Sequence, residues 1–335
     1  MQLIRKKAYA RAGLIGNPSD GYHGKTISLI LGNLWAELSL YEWDEVEIVW
    51  SRDDRSRFES VQELSRDVEL HGYYGGIRLV KATIKKFVDY CQAHNLPLHD
   101  RNFSIRYESN IPRQVGLAGS SAIIVATLRC LMEFYEIDVP QAVQPSLALS
   151  VETDELGIGA GLQDRVVQVY QGVVSMDFAK SQMTRQHGFD CGRYEPLDPQ
   201  LLPPLYVAYS TDASEPTEVV HNNLRARFNA GEKEVVDAMG KFADLADQAR
   251  SALTGRNPQQ LGRLIDANFD LRHSICQIAA AQLQMVLTAR EAGASAKFAG
   301  SGGAIIGTYS DEKMYDKLVE QLGAIHCRVI KPMIV

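Results

Sequence analysis

In the first third of the chain, apolar residues recur at every second position. Ala36, Leu38 and Leu40 are followed by Val46, Ile48 and Trp50 past a charged turn at Asp44, and later by Phe103, Ile105 and Tyr107. A period of two marks a half-buried strand, so the pattern predicts three strands, paired antiparallel. Between them the period changes: Ile77, Val80, Ile84, Phe87, Val88 and Cys91 follow one helical face, which predicts an amphipathic helix from Tyr74 to about Ala93. From Ser121 the run SAIIVATLRCLMEFY is apolar nearly all round, the signature of a central buried helix.

The second half reads as helices followed by short strands. Val235, Met239, Phe242, Ala246, Ala249 and Leu253 repeat at threes and fours, and Gly255 is placed to end that helix. Asn257 and Pro258 then read as the cap and first residue of the next helix, with Leu261, Leu264, Ile265 and Phe269 inward. A further helical run extends from about Ile275 to Arg290, and the segments KFAGSGGAIIGTYS and VIKPMIV are expected to be strands separated by a helix. The loop-like GFDCGRYEPLDPQ leads into LLPPL at Pro203 and Pro204, beyond which Tyr206 to Tyr209 opens a new strand; domains of 1–200 and 201–335 are expected.

Composition agrees with two domains, because 335 residues exceed the ~250 to 300 at which a single core tends to split. The net charge of −6 arises from 41 acidic and 35 basic residues spread along the chain without a polybasic run, which disfavours a nucleic-acid partner. No window approaches the ~20 apolar residues of a membrane helix, and the basic MQLIRKKAYARAG has no apolar stretch behind it, so a cytoplasmic protein without a membrane partner is expected. Five widely spaced cysteines with no CxxC argue for free thiols over a disulfide framework or a structural zinc site.

Four segments could carry chemistry. In NIPRQVGLAGSSAIIVATL, Gly116 and Gly119 permit close backbone approach, Ser120 and Ser121 offer hydroxyls, and a helix starts at once, so amide N–H groups and the helix dipole converge on an anion-sized point. A Ser-capped helix after a tight turn would look the same. The loop from Lys297 to Ala304, KFAGSGGA, is a second glycine cradle or a plain turn. In Ala10 to Asp20, a short strand runs into a polar turn that could present Arg11, Asn17 and Asp20, unless Asn17 only caps that turn. Last, glycines at 157, 159 and 161 lead to Gln163, Asp164 and Arg165, where the aspartate is either an ion-pair partner or a general base beside a cation. A dinucleotide-binding oxidoreductase is disfavoured, since no GxGxxG follows a first strand.

With NIPRQVGLAGSS in the middle, KFAGSGG near the end and a Gln-Asp pair between them, the chain resembles the GHMP-type small-molecule kinase superfamily of galactokinase, homoserine kinase and mevalonate kinase. Within it, RAGLIGNPSD, GNLWA, GYYGGIRL, RNFSIRY and GLQDRVVQVYQG are most similar to plant-type glucuronokinases, which make glucuronate 1-phosphate. The resemblance implies an α+β two-domain fold, ribosomal-protein-S5-like in its N-terminal part and ferredoxin-like in its C-terminal part, with ATP in the cleft between them. It implies that Gly116, Leu117, Ala118, Gly119, Ser120, Ser121 and Ala122 wrap the ATP phosphates, with Gly300, Ser301 and Gly302 closing the site. Ser121 and Glu152 would hold Mg²⁺, with Glu155, one helical turn on, as the alternative carboxylate. Asp164 would be the catalytic carboxylate with Arg11 beside it, and Asp20, Asn17 and Gln163 would face a sugar or uronic acid. Arg11 stands where many members have Lys, and Gly16-Asn17 where many have Gly-Glu. Choice of a uronic acid would need a cation at its C6 carboxylate, and the residues alone single out no Arg or Lys for it. Retention of Ser121, Glu152 and Asp164 together argues for an active enzyme over a silent binding member.

Overall fold

The computed structural model describes residues 3–49, 75–211 and 218–335. The alternation at Ala36, Leu38 and Leu40 belongs to one long strand, β2 (Lys25–Trp43), which pairs antiparallel with β1 (Leu3–Ile15) along nearly its whole length. The far edge of β2 is shared: β4 (Asn102–Ser109) takes its C-terminal half and β5 (Val173–Asp177) its N-terminal half. β3 (Glu47–Val49) extends the sheet beyond β4, and β8 (Arg193–Leu197) extends it beyond β5. Between β5 and β8 lies a small hairpin of β6 (Thr184–Gln186) and β7 (Phe189–Cys191). The antiparallel expectation holds for β2 and β4 but not for β3, which runs parallel to β4. The chain returns between them through helix α1 (Gly76–Ala93), and a helical crossover brings the next strand in parallel. Val46 is exposed and precedes that strand; Trp50 and Tyr74 lie outside the described residues.

The period in β2 explains what covers it. Near its C-terminal end Ala36, Leu38 and Leu40 are buried while the residues between them are partly exposed, whereas from Thr26 to Leu31 every residue is buried. That second stretch is covered on both faces. Ile30 lies with Val166 and Val167 of α4 (Gln163–Tyr170), while Ile27, Leu29 and Leu31 share a cluster with Ala246, Ala249 and Leu253 of α6 (Lys233–Thr254). Helix α2 (Gly119–Phe134) packs on β1 and β2 as the all-round apolar run requires, and α3 (Gln144–Ser150) lies beside α4.

A second sheet, ordered β10 (Lys297–Phe298), β11 (Ala304–Thr308), β9 (Leu205–Ser210) and β12 (Cys327–Ile330), is antiparallel throughout. Its helices are α5 (Glu218–Asn229), α6, α7 (Pro258–Ile275), α8 (Ala280–Glu291) and α9 (Glu312–Gly323). As the spacing predicts, Gly255 caps α6, and the Asn257 side chain accepts from the Gln260 N–H at the start of α7. The long run starting near Ile275 begins its helix only at Ala280, because α7 itself continues to Ile275 and Cys276 is extended. Four cysteines are buried and Cys276 is half-buried, all as free thiols. Among the described residues no helix is long and apolar enough to cross a membrane.

Candidate active site

Strand β1 carries Arg11 to the point where three glycine-bearing segments meet. Arg11 is 5% exposed. Its Nη1 donates to the Gly116 carbonyl at 2.5 Å and more weakly to that of Ala299 at 3.4 Å, and its Nε donates to Asp164 Oδ1 at 2.5 Å. The backbone repeats the connection: Arg11 N–H donates to the Leu117 carbonyl and Gly13 N–H to that of Ala299. Gly116 has φ +68°, and a Cβ there would lie 2.6 Å from the Gly302 carbonyl oxygen, so the two glycine loops pack backbone against backbone with no room for a side chain.

Ala118, in the left-handed region at φ 61°, caps α2, and Gly119, Ser120 and Ser121 form its first turn. Their N–H groups precede the first possible intrahelical acceptor and share the positive end of the helix dipole. The two serines differ. Ser121 is fully buried and its hydroxyl donates to the Ala118 carbonyl at 3.2 Å, whereas Ser120 Oγ donates to Glu152 Oε1 at 2.9 Å. Successive helical residues are turned by ~100°, so one of the pair must face inward. The side chain expected to meet a metal, Ser121, is therefore the inward one, and Ser120 takes the place beside the carboxylate. Gln168 Nε2 donates to the carbonyls of Ala118 and Tyr9, tying this turn to α4 and β1.

Glu152 sits in a five-residue π-helical turn, Val151–Glu155, that follows α3. It is 1% exposed and its Oε2 is bonded to Arg165, which also donates to the Gly161 carbonyl at 2.8 Å and lies 3.4 Å from Asp164 Oδ2. Burial opposes the charge on Arg165, but Glu152, Asp164 and Asp20 together hold its pKa above the ordinary value. The two oxygens of Asp164 thus face two guanidiniums, Arg11 foremost. Glu155, the alternative carboxylate, is engaged by Lys85 and Lys86 of α1.

Asp20 lies in a short 3₁₀ turn, Ser19–Tyr22, and reaches toward the same centre; a Cβ at Gly161 would fall 2.2 Å from its Oδ2. Burial above all, and then the charge of Asp164, push its carboxyl up to about 6, against the lowering effects of Arg11, the Gln163 N–H and Arg165. Two residues expected beside it are turned elsewhere. The Gln163 side chain accepts from Ser28 Oγ at 3.3 Å and leaves only its backbone N–H to Asp20. Asn17 is 2% exposed, its Oδ1 accepting from Lys297 and its carbonyl from Asn268, so its side chain links β1 to the Lys297 segment.

A family model described as the GHMP kinases N terminal domain matches residues 78–172. Over 326 residues the chain is 41% identical to glucuronokinase 1 of Arabidopsis thaliana, covering 95% of this chain and 88% of that protein. The chain belongs to the GHMP kinase family. It is a small-molecule kinase, a phosphotransferase that uses ATP and an alcohol acceptor. Solved structures agree on the fold: Lactococcus lactis galactokinase complexed with galactose aligns with TM-score 0.78 at 15% identity, covering 99% of this kinase and 94% of that chain. Methanococcus jannaschii mevalonate kinase aligns with TM-score 0.73 at 19% identity, covering 99% of each.

Three buried cations of the kinase escape a reading of the sequence. Arg165 was visible only as a neighbour of Asp164, yet its closest partner is Glu152. Arg272, on the inner face of α7, donates to the carbonyls of Gly300 and Ser301 and so fixes the second glycine loop. Lys297 is 1% exposed and donates to the Gly13 carbonyl, Asn17 Oδ1 and the Phe298 carbonyl, three neutral oxygens. Burial first, then the charges of Arg272 and Arg11, hold its pKa well below the usual lysine value. The only signal was its place at the head of KFAGSGG.

The raised pKa of Asp20 has a measurable sign. Its carboxyl binds a proton more tightly in the folded kinase than in the unfolded chain, so its contribution to stability is intact below the ordinary carboxylate range and is lost as pH rises through about 6. The uncharged variant Asp20→Asn is expected to melt above the wild type near pH ~8, with the gap closing toward pH ~4. Equal melting temperatures at the higher pH would show that the carboxylate is not destabilised there.

Proposed function

We propose that this kinase transfers the γ-phosphoryl group of ATP to the anomeric hydroxyl of D-glucuronate, giving glucuronate 1-phosphate, with Mg²⁺ as the metal. The observation that carries the reading is the Asp164 carboxylate held between Arg11 and Arg165 where the Gly116 loop, the Ala299 strand end and α4 converge. The name of the Arabidopsis relative, at 41% identity over nearly the whole chain, supports glucuronate as the acceptor.

Phosphoryl transfer needs alignment and charge compensation more than covalent participation by the protein. The amides at Gly116 to Ala122 would hold the phosphates, with Gly300 to Gly302 against them. Asp164 would take or orient the proton of the anomeric hydroxyl, an acidic alcohol within reach of a carboxylate base. Arg11 fixes that carboxylate and adds positive charge beside it, while Asp20 would accept from a ring hydroxyl. The oxygens of Ser120 and Glu152 are the donor type Mg²⁺ prefers. Such an ion commonly takes one or two carboxylates and completes its shell with substrate phosphates and water, and Ser120 Oγ and Glu152 Oε1 already lie 2.9 Å apart. When bound, Mg²⁺ would offset negative charge on the phosphate oxygens.

Coupled assay of ATP consumption across free sugars and uronic acids, with the product mapped by phosphorus NMR, tests the substrate. Glucuronate is expected to exceed glucose in kcat/KM by ~10-fold or more, the worth of one charge-assisted contact. Equal turnover of the two would remove the uronic-acid reading. For Asp164→Asn, kcat is expected to fall ~100-fold or more with ATP affinity and folding kept, since the amide preserves shape but takes no proton; retained kcat would take Asp164 out of the chemistry. Ser120→Ala is expected to raise the Mg²⁺ concentration needed for half-maximal rate more than Ser121→Ala does. The reverse order would return the metal role to Ser121.

A further inference from the structure

A uronic acid differs from the neutral hexose in its C6 carboxylate, and a kinase that prefers it needs a cation with unused donors at the sugar end of the cleft. Most cations there are committed. Arg11 and Arg165 are paired with Asp164 and Glu152, Arg272 and Lys297 are spent on carbonyl and amide oxygens, and Arg227 is paired with Glu232. Arg225, on α5, is different.

Its guanidinium lies 5.2 Å over the ring of Tyr22, and its Nη2 would be 2.9 Å from a Cβ at Gly21, the residue next to Asp20. Tyr22 is 7% exposed and in turn packs on Phe228 of the same helix, with ring centroids 4.8 Å apart, so the aromatic ring holds the arginine against the turn that carries Asp20. Among the described residues Arg225 has no carboxylate partner, and it is exposed. A guanidinium held over a ring and not paired with a carboxylate has N–H groups to offer, and its planar fork can bind a carboxylate with two parallel hydrogen bonds.

We infer that Arg225 is the specificity residue that receives the carboxylate of the acceptor, with Tyr22 orienting it and Asp20 holding the neighbouring ring hydroxyls. This rests on the glucuronate reading above and adds the residue responsible for it. The sugar then spans the cleft from the anomeric hydroxyl at Asp164 to the carboxylate at α5.

The test is steady-state kinetics of the full chain as wild type, Arg225→Gln and Arg225→Lys, with glucuronate and glucose as acceptors. For Arg225→Gln the KM for glucuronate is expected to rise ~10- to 100-fold while kcat at saturation and the KM for ATP stay within ~2-fold, so the preference for glucuronate over glucose collapses. Arg225→Lys is expected to fall between the two, since it keeps the charge without the planar fork. An unchanged KM for glucuronate in Arg225→Gln, in an enzyme whose wild type prefers glucuronate, overturns the assignment and leaves the substrate reading standing. Equal losses on glucose and glucuronate also overturn it, marking a structural role. A wild type with no preference overturns both.

Discussion

A guanidinium nearly sealed from water is the constraint from which the candidate active site follows. Arg11 has Asp164 on one nitrogen and the Gly116 and Ala299 carbonyls on another, so one side chain touches all three segments that come together there. Taking a charge out of water is costly unless its hydrogen bonds are replaced, and removing one partner of a buried pair typically costs ~3 to 5 kcal/mol. The position of each loop is thus enforced by the need to satisfy the arginine. The glycines are the corollary, because a backbone carbonyl reaches a buried guanidinium only where no side chain intervenes.

The same logic recurs around that centre in two forms. Arg165 is neutralised by a carboxylate, Glu152, whereas Arg272 and Lys297 are met only by uncharged oxygens. The first arrangement leaves one oxygen of Glu152 for Ser120 and keeps the local charge balanced. The second leaves uncompensated positive character beside the glycine loop at Gly300, the loop proposed to close on the ATP phosphates. At Lys297 burial lowers the pKa, while the three oxygens that accept from Nζ match the three N–H donors of the ammonium.

Much of the fold was legible because it depends on period. The alternation in β2 and β4, the one-sided α1 and the all-round apolar α2 each state which faces must be covered, and the caps at Gly255 and Asn257 state where helices stop and start. The direction of β3 was not legible, since it depends on a crossover outside the strand itself. In the site, the spacing of the glycines located the loops, but side-chain direction was lost wherever one residue of helical register decides it: Ser120 against Ser121, and the backbone of Gln163 against its amide. The π turn at Glu152 removes the regular spacing on which a comparison with Glu155 relied. The partners of Asn17, Lys297 and Asn268, are some 250 or more residues distant in sequence, so no local pattern announces them.

Lys297 also acts as a strut. It opens the strand that runs into the Gly300 loop, and it grips the end of β1 at Gly13 and the turn at Asn17, three residues before Asp20. The loop proposed to meet phosphate and the turn proposed to meet the sugar are therefore joined through one buried side chain. A displacement of either end alters the same set of hydrogen bonds. If both proposed sites are occupied, any free energy passed through this link must act equally in both directions: a sugar that tightened nucleotide binding would itself be bound more tightly in the presence of nucleotide.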